Sequence, residues 1–317
     1  MCIRDRPSAC YVIRMETPDQ PLQLDGRALA TRIRDDYAPR VAALRESGRR
    51  PRLVALRVGE DAATKAYLRG QQRGAEKWGI EYDIQTLPAS TNERGIRKAI
   101  RALNADPEVT GIMLALPLPA GIGARALQRE IDPHKDVEGV HPENLGGCLY
   151  GRYGLLPCTA LAVMALLESS GIELQGKQAV VVGHSEIVGK PVALLLLAQD
   201  ATTTVCHKFT GNLAEHTRTA DVLVVAVGKA GLITADMVKP GAYVVDVGIN
   251  AVTGDDGKHK IVGDTDYDGV APVCAAITPV PGGVGPVTVA ILMRNTVLAT
   301  EGMPPLDDPG QLPLFTA

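Results

Sequence analysis

The sequence predicts an α/β protein with two domains, the second built on a Rossmann-like sheet. Three observations support this prediction. The chain has 317 residues, about twice the ~150 residues of a common domain. Short continuous apolar runs alternate with helical patterns, which is typical of parallel strands buried on both faces. Glycines follow three of these runs directly, as they do where parallel strands lead into nucleotide-binding loops.

Composition excludes several classes of function. Lys and Arg number 33 against 36 Asp and Glu, so no overall positive field attracts nucleic acid. Aromatic residues make up 3%, too few for stacking on single strands. The longest apolar run, Val192–Ala198, is far below the ~20 residues of a membrane span. The six cysteines form no CxxC pair, which favours reduced thiols and a cytoplasmic protein.

Both ends of the chain are expected to lie outside the folded domains. Residues 1–20 are predicted to be a disordered extension, with Met15 as a candidate natural start and an ordinary disordered leader as the alternative. Residues 301–317 contain four prolines and are predicted to be a disordered tail.

The first unit alternates helices and strands. The pattern predicts a helix over 27–46 that Pro39 kinks, and a cap at Thr91 or Asn92 for a later helix. Pro117 is expected to end the third strand. The remaining elements are strands over 53–58, 80–87 and 111–116, and helices over 64–78 and 92–103.

The second unit has the same alternation over about 175–280. Helices are predicted over 159–169 and 189–198, the latter with Pro191 in its first turn. A last helix over 287–299 follows this sheet and is expected to pack back on the first unit. The predicted strands are 179–183, 203–206, 223–227 and 243–247.

The turn after the first strand of the second unit has features of a phosphate-binding loop. Gly183, His184 and Ser185 follow a buried strand, and Gly189 opens the next helix. A glycine here lets the backbone approach a pyrophosphate, and the helix start offers N–H groups and a positive dipole. The spacing is not G-x-G-x-x-G, so a plain strand–turn–helix joint is the alternative.

Three other segments support a bound ligand. Residues 227–229 and 246–250 place glycines after apolar strands, where nucleotides bind in open parallel sheets. Residues 278–286 form a rigid turn rich in proline and glycine directly before the last helix. This turn either joins the domains or presses its backbone against a flat ligand.

Four long motifs of the chain are distinctive: GIMLALPLP, IDPHKDVEGVHPENLGG, GKQAVVVGHSEIVGKPVALLL and ITPVPGGVGPVTVAILMRNTV. With these motifs the chain resembles the bifunctional methylenetetrahydrofolate dehydrogenase/methenyltetrahydrofolate cyclohydrolase (FolD) family, over about residues 22–300. The resemblance implies oxidation of 5,10-methylenetetrahydrofolate to 5,10-methenyltetrahydrofolate with NADP or NAD, followed by hydrolysis to 10-formyltetrahydrofolate.

The resemblance also implies the domain organisation. A three-layer α/β folate-binding domain is expected over 21–157, completed by a returning helix at 286–300. An NAD(P)-binding Rossmann domain is expected over 158–285, with a cleft between the two. The family usually forms a homodimer, so a second copy of the chain is the expected partner, with no membrane and no nucleic acid.

Site residues carried over by motif fall into three groups. The dinucleotide is expected at Gly183, His184, Ser185, Lys208, Ile249 and Gly285. The folate is expected at Tyr67, Ala115, Leu116, Glu138, Pro281, Gly282 and Gly283. The catalytic positions are Tyr67, Gln71 and Glu138.

Three positions in the first half of the chain depart from the family pattern. The family motif is Tyr-x-x-x-Lys on a helix, and here Gln71 stands in the lysine position. Ala115 replaces the glutamine before Leu-Pro-Leu-Pro, and Glu138 replaces an aspartate. Lysine can move a proton, whereas a glutamine amide cannot titrate. Local compensation, with Arg69 or Lys65 supplying the charge, is the alternative.

The two reactions of the family require different contributions from the protein side chains. Hydride loss from the methylene carbon needs alignment with the nicotinamide, and no side chain must exchange a proton. Water addition and ring opening do require proton movement. We therefore expect the chain to keep dehydrogenase activity with weak or absent cyclohydrolase activity. The alternatives are a non-catalytic folate- or dinucleotide-binding paralogue and a two-domain dehydrogenase of the shikimate dehydrogenase type.

Comparison with the family pattern also indicates which dinucleotide binds and whether a metal is expected. The family's Gly-Arg-Ser is Gly-His-Ser here, so a 2′-phosphate loses an arginine and Lys208 is expected to supply charge. NADP is expected, with NAD as the alternative. His134 with its neighbouring aspartates matches a folate-family segment, so no metal is expected. Cys206 and His207 are adjacent on a strand end and point to opposite sides, which argues against a catalytic pair.

Overall fold

A computed structural model describes residues 21–151, 154–253 and 259–302. The expected extension at 1–20 and the part of the expected tail beyond residue 302 lie outside the described residues. The described elements, apart from two short 3₁₀ turns, follow in this order: β1 (Leu22–Gln23), α1 (Gly26–Glu46), β2 (Arg52–Val58), α2 (Ala62–Trp78), β3 (Glu81–Leu87), α3 (Glu93–Ala105), β4 (Gly111–Leu114), α4 (Ala124–Gln128), α5 (Pro142–Tyr150), α6 (Cys158–Ser169), β5 (Gln178–Val182), α7 (Gly189–Ala198), β6 (Thr202–Cys206), α8 (Leu213–Thr217), β7 (Val222–Val225), β8 (Tyr243–Asp246), β9 (Asn250–Thr253), β10 (His259–Val262), α9 (Tyr267–Val270), β11 (Ala276–Ile277) and α10 (Val284–Glu301).

The first unit is a three-layer sandwich around a parallel sheet of order β3-β2-β4. Alternate residues of β2 face opposite layers because successive side chains of a strand point to opposite faces. Leu53 and Ala55 join the core shared with α1, α2 and α10. Val54 and Leu56 join a separate core with α3 and α4. This arrangement confirms the predicted α/β fold, and the Asn92 side chain caps α3.

The second unit is a six-stranded parallel sheet of order β1-β11-β8-β7-β5-β6. Its inner strands are apolar on both faces and are covered by α6 and α7 on one side and by α8 and α9 on the other. The Rossmann-like prediction is confirmed. One boundary needs correction: Leu22–Gln23 was assigned to the first domain but pairs with β11 of the second sheet.

Helix α10 returns to the first unit, where it packs against α1, and it also packs against α6. The Asn295 amide donates to the carbonyls of Val137 (2.9 Å) and Leu156 (3.2 Å), which ties the loop before α5 to the loop after it. The Arg40 guanidinium binds the carboxylate of Glu301 at the end of the helix. The helix therefore runs to Glu301, one residue into the range expected to be disordered.

Several bounds differ from the sequence prediction. The strand predicted over 111–116 ends at Leu114, and those predicted to end at residues 227 and 247 end at Val225 and Asp246. Each predicted end includes one or two residues that continue the apolar run beyond the last pair of the ladder. Helix α1 continues through Pro39. The antiparallel pair β9–β10 and the short helices α4 and α5 were not predicted.

Candidate active site

Helix α2 places Tyr67 and Gln71 one turn apart at the carboxyl end of the first sheet. The helix begins at a cap in which the Asp61 carboxylate accepts from the Thr64 amide (2.6 Å), and it ends at the left-handed Gly79. Residues four apart share a helix face. Tyr67 is 56% exposed, whereas Gln71 is 3% exposed. The expected alternative donor Arg69 lies on the exposed side of the helix.

Tyr82, on strand β3, contacts the side chain of Gln71. The Tyr82 hydroxyl donates to Oε1 of Gln71 at 2.7 Å, and Tyr82 is 6% exposed. Burial raises the pKa of Tyr82 well above its usual range, with smaller contributions from Tyr67 and Glu138. The sequence analysis did not select Tyr82, although it lies on a predicted strand. The hydroxyl therefore keeps its proton and stays a hydrogen-bond donor.

Glu138 lies next to these side chains, and one of its carboxylate oxygens has no hydrogen-bond donor among the described residues. This oxygen, Oε2, is buried. Burial raises the pKa of Glu138 to about 8, and the nearby Asp136 contributes in the same direction. Desolvation raises the pKa of Tyr67, and the charge of Glu138 adds to that shift. Tyr67, Gln71, Tyr82 and Glu138 thus share one electrostatic environment.

The loop that carries Glu138 is fixed from both sides. The Asp136 carboxylate accepts from the His141 amide (2.7 Å) and from the Asn144 side chain (2.9 Å). Gly139 has a φ of +71°, and a Cβ built there would lie 2.2 Å from the carbonyl carbon of Leu156. A side chain at position 139 is therefore excluded, and the backbone next to Glu138 is fixed.

Ala115 and Leu116 form the wall that follows β4. The Ala115 amide donates to the Leu56 carbonyl at 2.9 Å, one residue beyond the end of the strand. Ala115 is buried at 6% exposure, whereas Leu116 is 48% exposed. The Thr64 hydroxyl reaches the Leu116 carbonyl at 3.4 Å, which links this wall to the start of α2.

On the other side of the cleft, Gly183 ends β5 with a φ of +119°. A Cβ built there would lie 2.2 Å from the Ala226 carbonyl oxygen, so the turn requires glycine. His184 and Ser185 follow and are exposed. Helix α7 then begins after Val188, and Ser185 accepts from its first two amides: Oγ from the Gly189 amide (3.4 Å) and the carbonyl from the Lys190 amide (3.0 Å). A tight glycine turn leading from a buried strand into a helix fits the pyrophosphate of a dinucleotide.

Two buried aspartates hold the neighbouring strand ends, and the sequence analysis missed both. The Asp264 carboxylate accepts from the amides of Val227 (2.6 Å), Gly228 (2.9 Å) and Lys229 (2.7 Å), and from the Asn250 side chain (2.9 Å).

The second of these aspartates, Asp246, accepts from the amides of Gly248 (2.8 Å), Asp264 (3.0 Å) and Thr265 (2.7 Å). Burial raises its pKa, and these hydrogen bonds counter the shift. An aspartate at the end of an apolar strand is the signal in the sequence that indicates this role.

The other predicted cofactor residues lie around the same edge of the sheet. The ring of His184 is 4.9 Å from that of His207, centre to centre. Nζ of Lys208 lies 4.8 Å from the centre of the exposed Phe209 ring. Ile249 is 68% exposed after β8. These side chains leave the edge open to a ligand.

The turn before α10 contacts the start of α1. The Gly283 carbonyl oxygen lies 1.7 Å from where a Gly26 Cβ would stand, so the two backbones touch. Pro281 and Gly285 are exposed, whereas Gly282 is partly buried. A second link between the units is an ion pair of 2.8 Å between Arg125 on α4 and Glu186 after β5.

The other residues considered for catalysis or metal binding have structural roles. Within the described ranges, no group of three or more His, Cys, Asp or Glu side chains is placed to hold a metal ion. Asp132 accepts from the His134 amide at 2.9 Å, so its carboxylate shapes a turn. Cys206 is buried and His207 is exposed, as predicted for adjacent residues at a strand end. No helix in the described part of the chain is long and apolar enough to cross a membrane.

Comparison with known proteins places this geometry in a family. The catalytic domain of the tetrahydrofolate dehydrogenase/cyclohydrolase family matches residues 24–138, and its NAD(P)-binding domain matches 157–303. The chain belongs to this family. Membership confirms the resemblance seen in the sequence and excludes the shikimate dehydrogenase alternative.

Individual relatives agree with the family assignment. Bifunctional protein FolD 2 of Mesorhizobium japonicum is 49% identical over 285 residues, covering 90% of this chain and 93% of that protein. The crystal structure of FolD from Campylobacter jejuni is 41% identical, with a TM-score of 0.85, and covers 88% of this chain and 98% of that one. Trypanosoma brucei FolD, crystallised with NADP and an inhibitor, is 37% identical with a TM-score of 0.84; the match covers 89% of this chain and 98% of that one.

Proposed function

We propose that this chain is an NADP-dependent methylenetetrahydrofolate dehydrogenase in which cyclohydrolase activity is weak or absent. The observation that carries the proposal is the side chain at position 71. An amide stands in the family's lysine frame, and its oxygen is held by the Tyr82 hydroxyl. A non-catalytic paralogue is the weaker interpretation, because Tyr67, Glu138 and the dinucleotide edge all retain the groups that binding requires.

Dehydrogenation makes few demands on the side chains of the cleft. The folate nitrogen beside the methylene carbon donates its lone pair, and the hydride leaves as a methenyl cation forms. A nicotinamide cofactor bound at the dinucleotide edge would supply the hydride acceptor. The chain contributes orientation: Tyr67 packs beside the pterin, Glu138 accepts its N–H groups, and residues 281–285 separate the two ligands.

Hydrolysis of the methenyl group requires proton transfers that Gln71 cannot supply. Tyr67 and Tyr82 keep their protons at neutral pH because their pKa values are raised. Of the four neighbouring side chains, Glu138 is the one with a pKa near neutrality, at about 8. Any residual hydrolysis should therefore follow the ionisation of Glu138.

Cofactor preference follows from the residues at the ribose end of the dinucleotide. His184 replaces an arginine that would hold a 2′-phosphate with two hydrogen bonds. Lys208 is exposed nearby, next to His207 after the end of β6. We propose that Lys208 and His184 together select NADP, with NAD accepted at lower efficiency.

Assembly and location are part of the proposal. Leu149, Tyr150 and Leu197 are exposed by 65%, 79% and 59% and line a groove between α5 and α7. Apolar surface of this kind supports a homodimer, to be checked by analytical ultracentrifugation. The four cysteines in the described ranges are unpaired and buried, which supports a cytoplasmic location.

The deciding experiment measures both reactions on one preparation. NADPH formation with 5,10-methylenetetrahydrofolate should be readily detected, and disappearance of 5,10-methenyltetrahydrofolate should stay near the rate in buffer. Hydrolysis clearly above the buffer rate would contradict the loss of cyclohydrolase activity. Absence of reduction with either nucleotide would instead favour the non-catalytic paralogue.

A further inference from the structure

The contact between Tyr82 and Gln71 goes beyond the replacement of a lysine. The two side chains come from different elements, β3 and α2, and meet inside the core of the first unit. Both are nearly inaccessible, at 6% and 3% exposure. A hydroxyl buried there is costly without a partner, and Oε1 of Gln71 accepts its hydrogen bond at 2.7 Å.

This contact determines what Gln71 can offer to a ligand. A glutamine amide has an acceptor oxygen and a donor –NH₂ group on opposite sides of one carbon. With Oε1 directed at Tyr82, the –NH₂ group faces the other way. Tyr67 lies one turn away on the same face of α2.

Tyr82 itself is fixed by the same helix. The Gln72 side chain donates to the Tyr82 carbonyl at 2.9 Å, so consecutive glutamines of α2 bind the backbone and the hydroxyl of one residue. The Tyr82 ring packs in the core cluster that includes Leu68 and Ala75 of α2. The hydroxyl cannot turn away without losing these contacts.

We propose that Tyr82 is a positioning residue that locks the Gln71 amide, so that Gln71 presents its –NH₂ donor, and not its acceptor oxygen, to the folate. The inference rests on the proposed function, because it takes the cleft beside Tyr67 as the folate site. The atom that Gln71 recognises is then an acceptor of the reduced folate. A water molecule that must give up a proton finds no acceptor at position 71.

The first test uses Tyr82→Phe, which keeps the ring and removes the hydroxyl. With the amide free to rotate, tetrahydrofolate should bind about threefold to tenfold more weakly by calorimetry. The KM for methylenetetrahydrofolate should rise in parallel, while the Kd for NADP stays unchanged. An unchanged affinity for tetrahydrofolate would overturn the inference.

Tyr37→Phe is the matched control. Tyr37 is also a buried tyrosine, at 2% exposure, and its hydroxyl accepts from Nε of Arg294 on α10 at 3.0 Å, with no hydrogen bond to Gln71. This variant should lose stability and keep its affinity for tetrahydrofolate. Equal weakening in both variants would show a general effect of a lost core hydroxyl and would overturn the positioning role.

The second test couples Tyr82 to the lysine position. In Gln71→Lys, the Tyr82 hydroxyl can accept from the new ammonium group and draw it away from the cleft. Gln71→Lys with Tyr82→Phe should therefore hydrolyse methenyltetrahydrofolate at least about fivefold faster than Gln71→Lys alone. Equal rates in the two variants would contradict the coupling.

The binding measurement distinguishes failure of the proposed function from failure of the positioning role of Tyr82. If the parent protein shows no reduction of either nucleotide but Tyr82→Phe weakens tetrahydrofolate binding, the proposed function fails and the positioning role stands. If the parent protein is active and Tyr82→Phe leaves binding unchanged, the positioning role fails alone.

Discussion

Buried carboxylates are used differently on the two sides of the cleft. On the dinucleotide side, Asp264 accepts four hydrogen bonds, three of them from consecutive backbone amides. On the folate side, Glu138 keeps a buried oxygen that no described residue satisfies. A satisfied carboxylate stabilises the loops around it, whereas an unsatisfied one is costly until a ligand donates to it. The dinucleotide side is built in advance, and the folate side is completed by its substrate.

Asp264→Asn should produce the largest effect, because it disturbs the side that is already complete. The new –NH₂ group would face backbone amides that also donate, and those amides would lose acceptors. We expect a loss of about 3 kcal/mol in the free energy of unfolding. The affinity for NADP should fall at least about tenfold, because residues 227–229 would no longer be fixed. Denaturant unfolding and calorimetry measure the two quantities.

Asp221→Asn is the control for that experiment. Asp221 lies in the same domain, is partly exposed, and binds the Gln178 amide (2.9 Å) and the Lys239 ammonium (2.6 Å). Its loss should cost less than about 1 kcal/mol and leave NADP binding intact. If Asp264→Asn bound NADP as tightly as the parent protein, the loops would not depend on Asp264.

Glu138→Gln should weaken folate binding without reducing stability, whereas Asp264→Asn should reduce both stability and NADP binding. The buried Oε2 has no donor to lose among the described residues, so the free energy of unfolding should stay the same or rise. The KM for methylenetetrahydrofolate should rise about 10- to 100-fold, because hydrogen bonds to a carboxylate are stronger than those to an amide. The Kd for NADP should not change. A large loss of stability would make Glu138 a structural carboxylate like Asp264.

The raised pKa of Glu138 gives this comparison a pH dependence. Its pKa rises from 4.5 to about 8 on folding. Between these values the folded protein holds a proton that the unfolded chain has released, so stability from this group falls as pH rises. Folate affinity should strengthen as pH passes 8, because the ionised carboxylate accepts more strongly. Both slopes should be absent in Glu138→Gln; a KM for the parent protein that is constant between pH 6.5 and 9 would contradict this assignment.

Much of the fold is predictable from local sequence pattern. Apolar runs such as those of β5 and β7 can bury both faces only in a covered parallel sheet, and the glycines after them mark the loops. The pairing of Leu22 with Ala276 is not predictable in this way. A two-residue strand has no periodicity of its own, and its partner lies on another element far along the chain.

Some residues of the site are likewise predictable from sequence spacing, and others are not. Tyr67 and Gln71 are four residues apart on a helix, so their shared face follows from spacing alone. Tyr82 appears in the sequence as an ordinary strand aromatic, and nothing in its spacing indicates that its hydroxyl meets Gln71. Asp264 is hidden for a related reason: its main partners are backbone amides, which leave no mark on side-chain patterns.

The smallest effect is expected where the two sides meet at the surface. Arg125 and Glu186 form an ion pair of 2.8 Å across the units, but their side chains are 75% and 40% exposed. Exposed pairs contribute little because water and salt screen them. The spacing of the units is set instead by α10 and by the backbone contact of Gly26 with Gly283.

Arg125→Ala should therefore change the free energy of unfolding by less than about 1 kcal/mol and the KM for NADP by less than about twofold. Arg129→Ala removes an exposed arginine after the same helix and should behave alike. Steady-state kinetics at low and high salt provide the measurement. A rise in KM of fivefold or more for Arg125→Ala alone would mean that a surface ion pair sets the width of the cleft, and that the dinucleotide side is not complete without its neighbour.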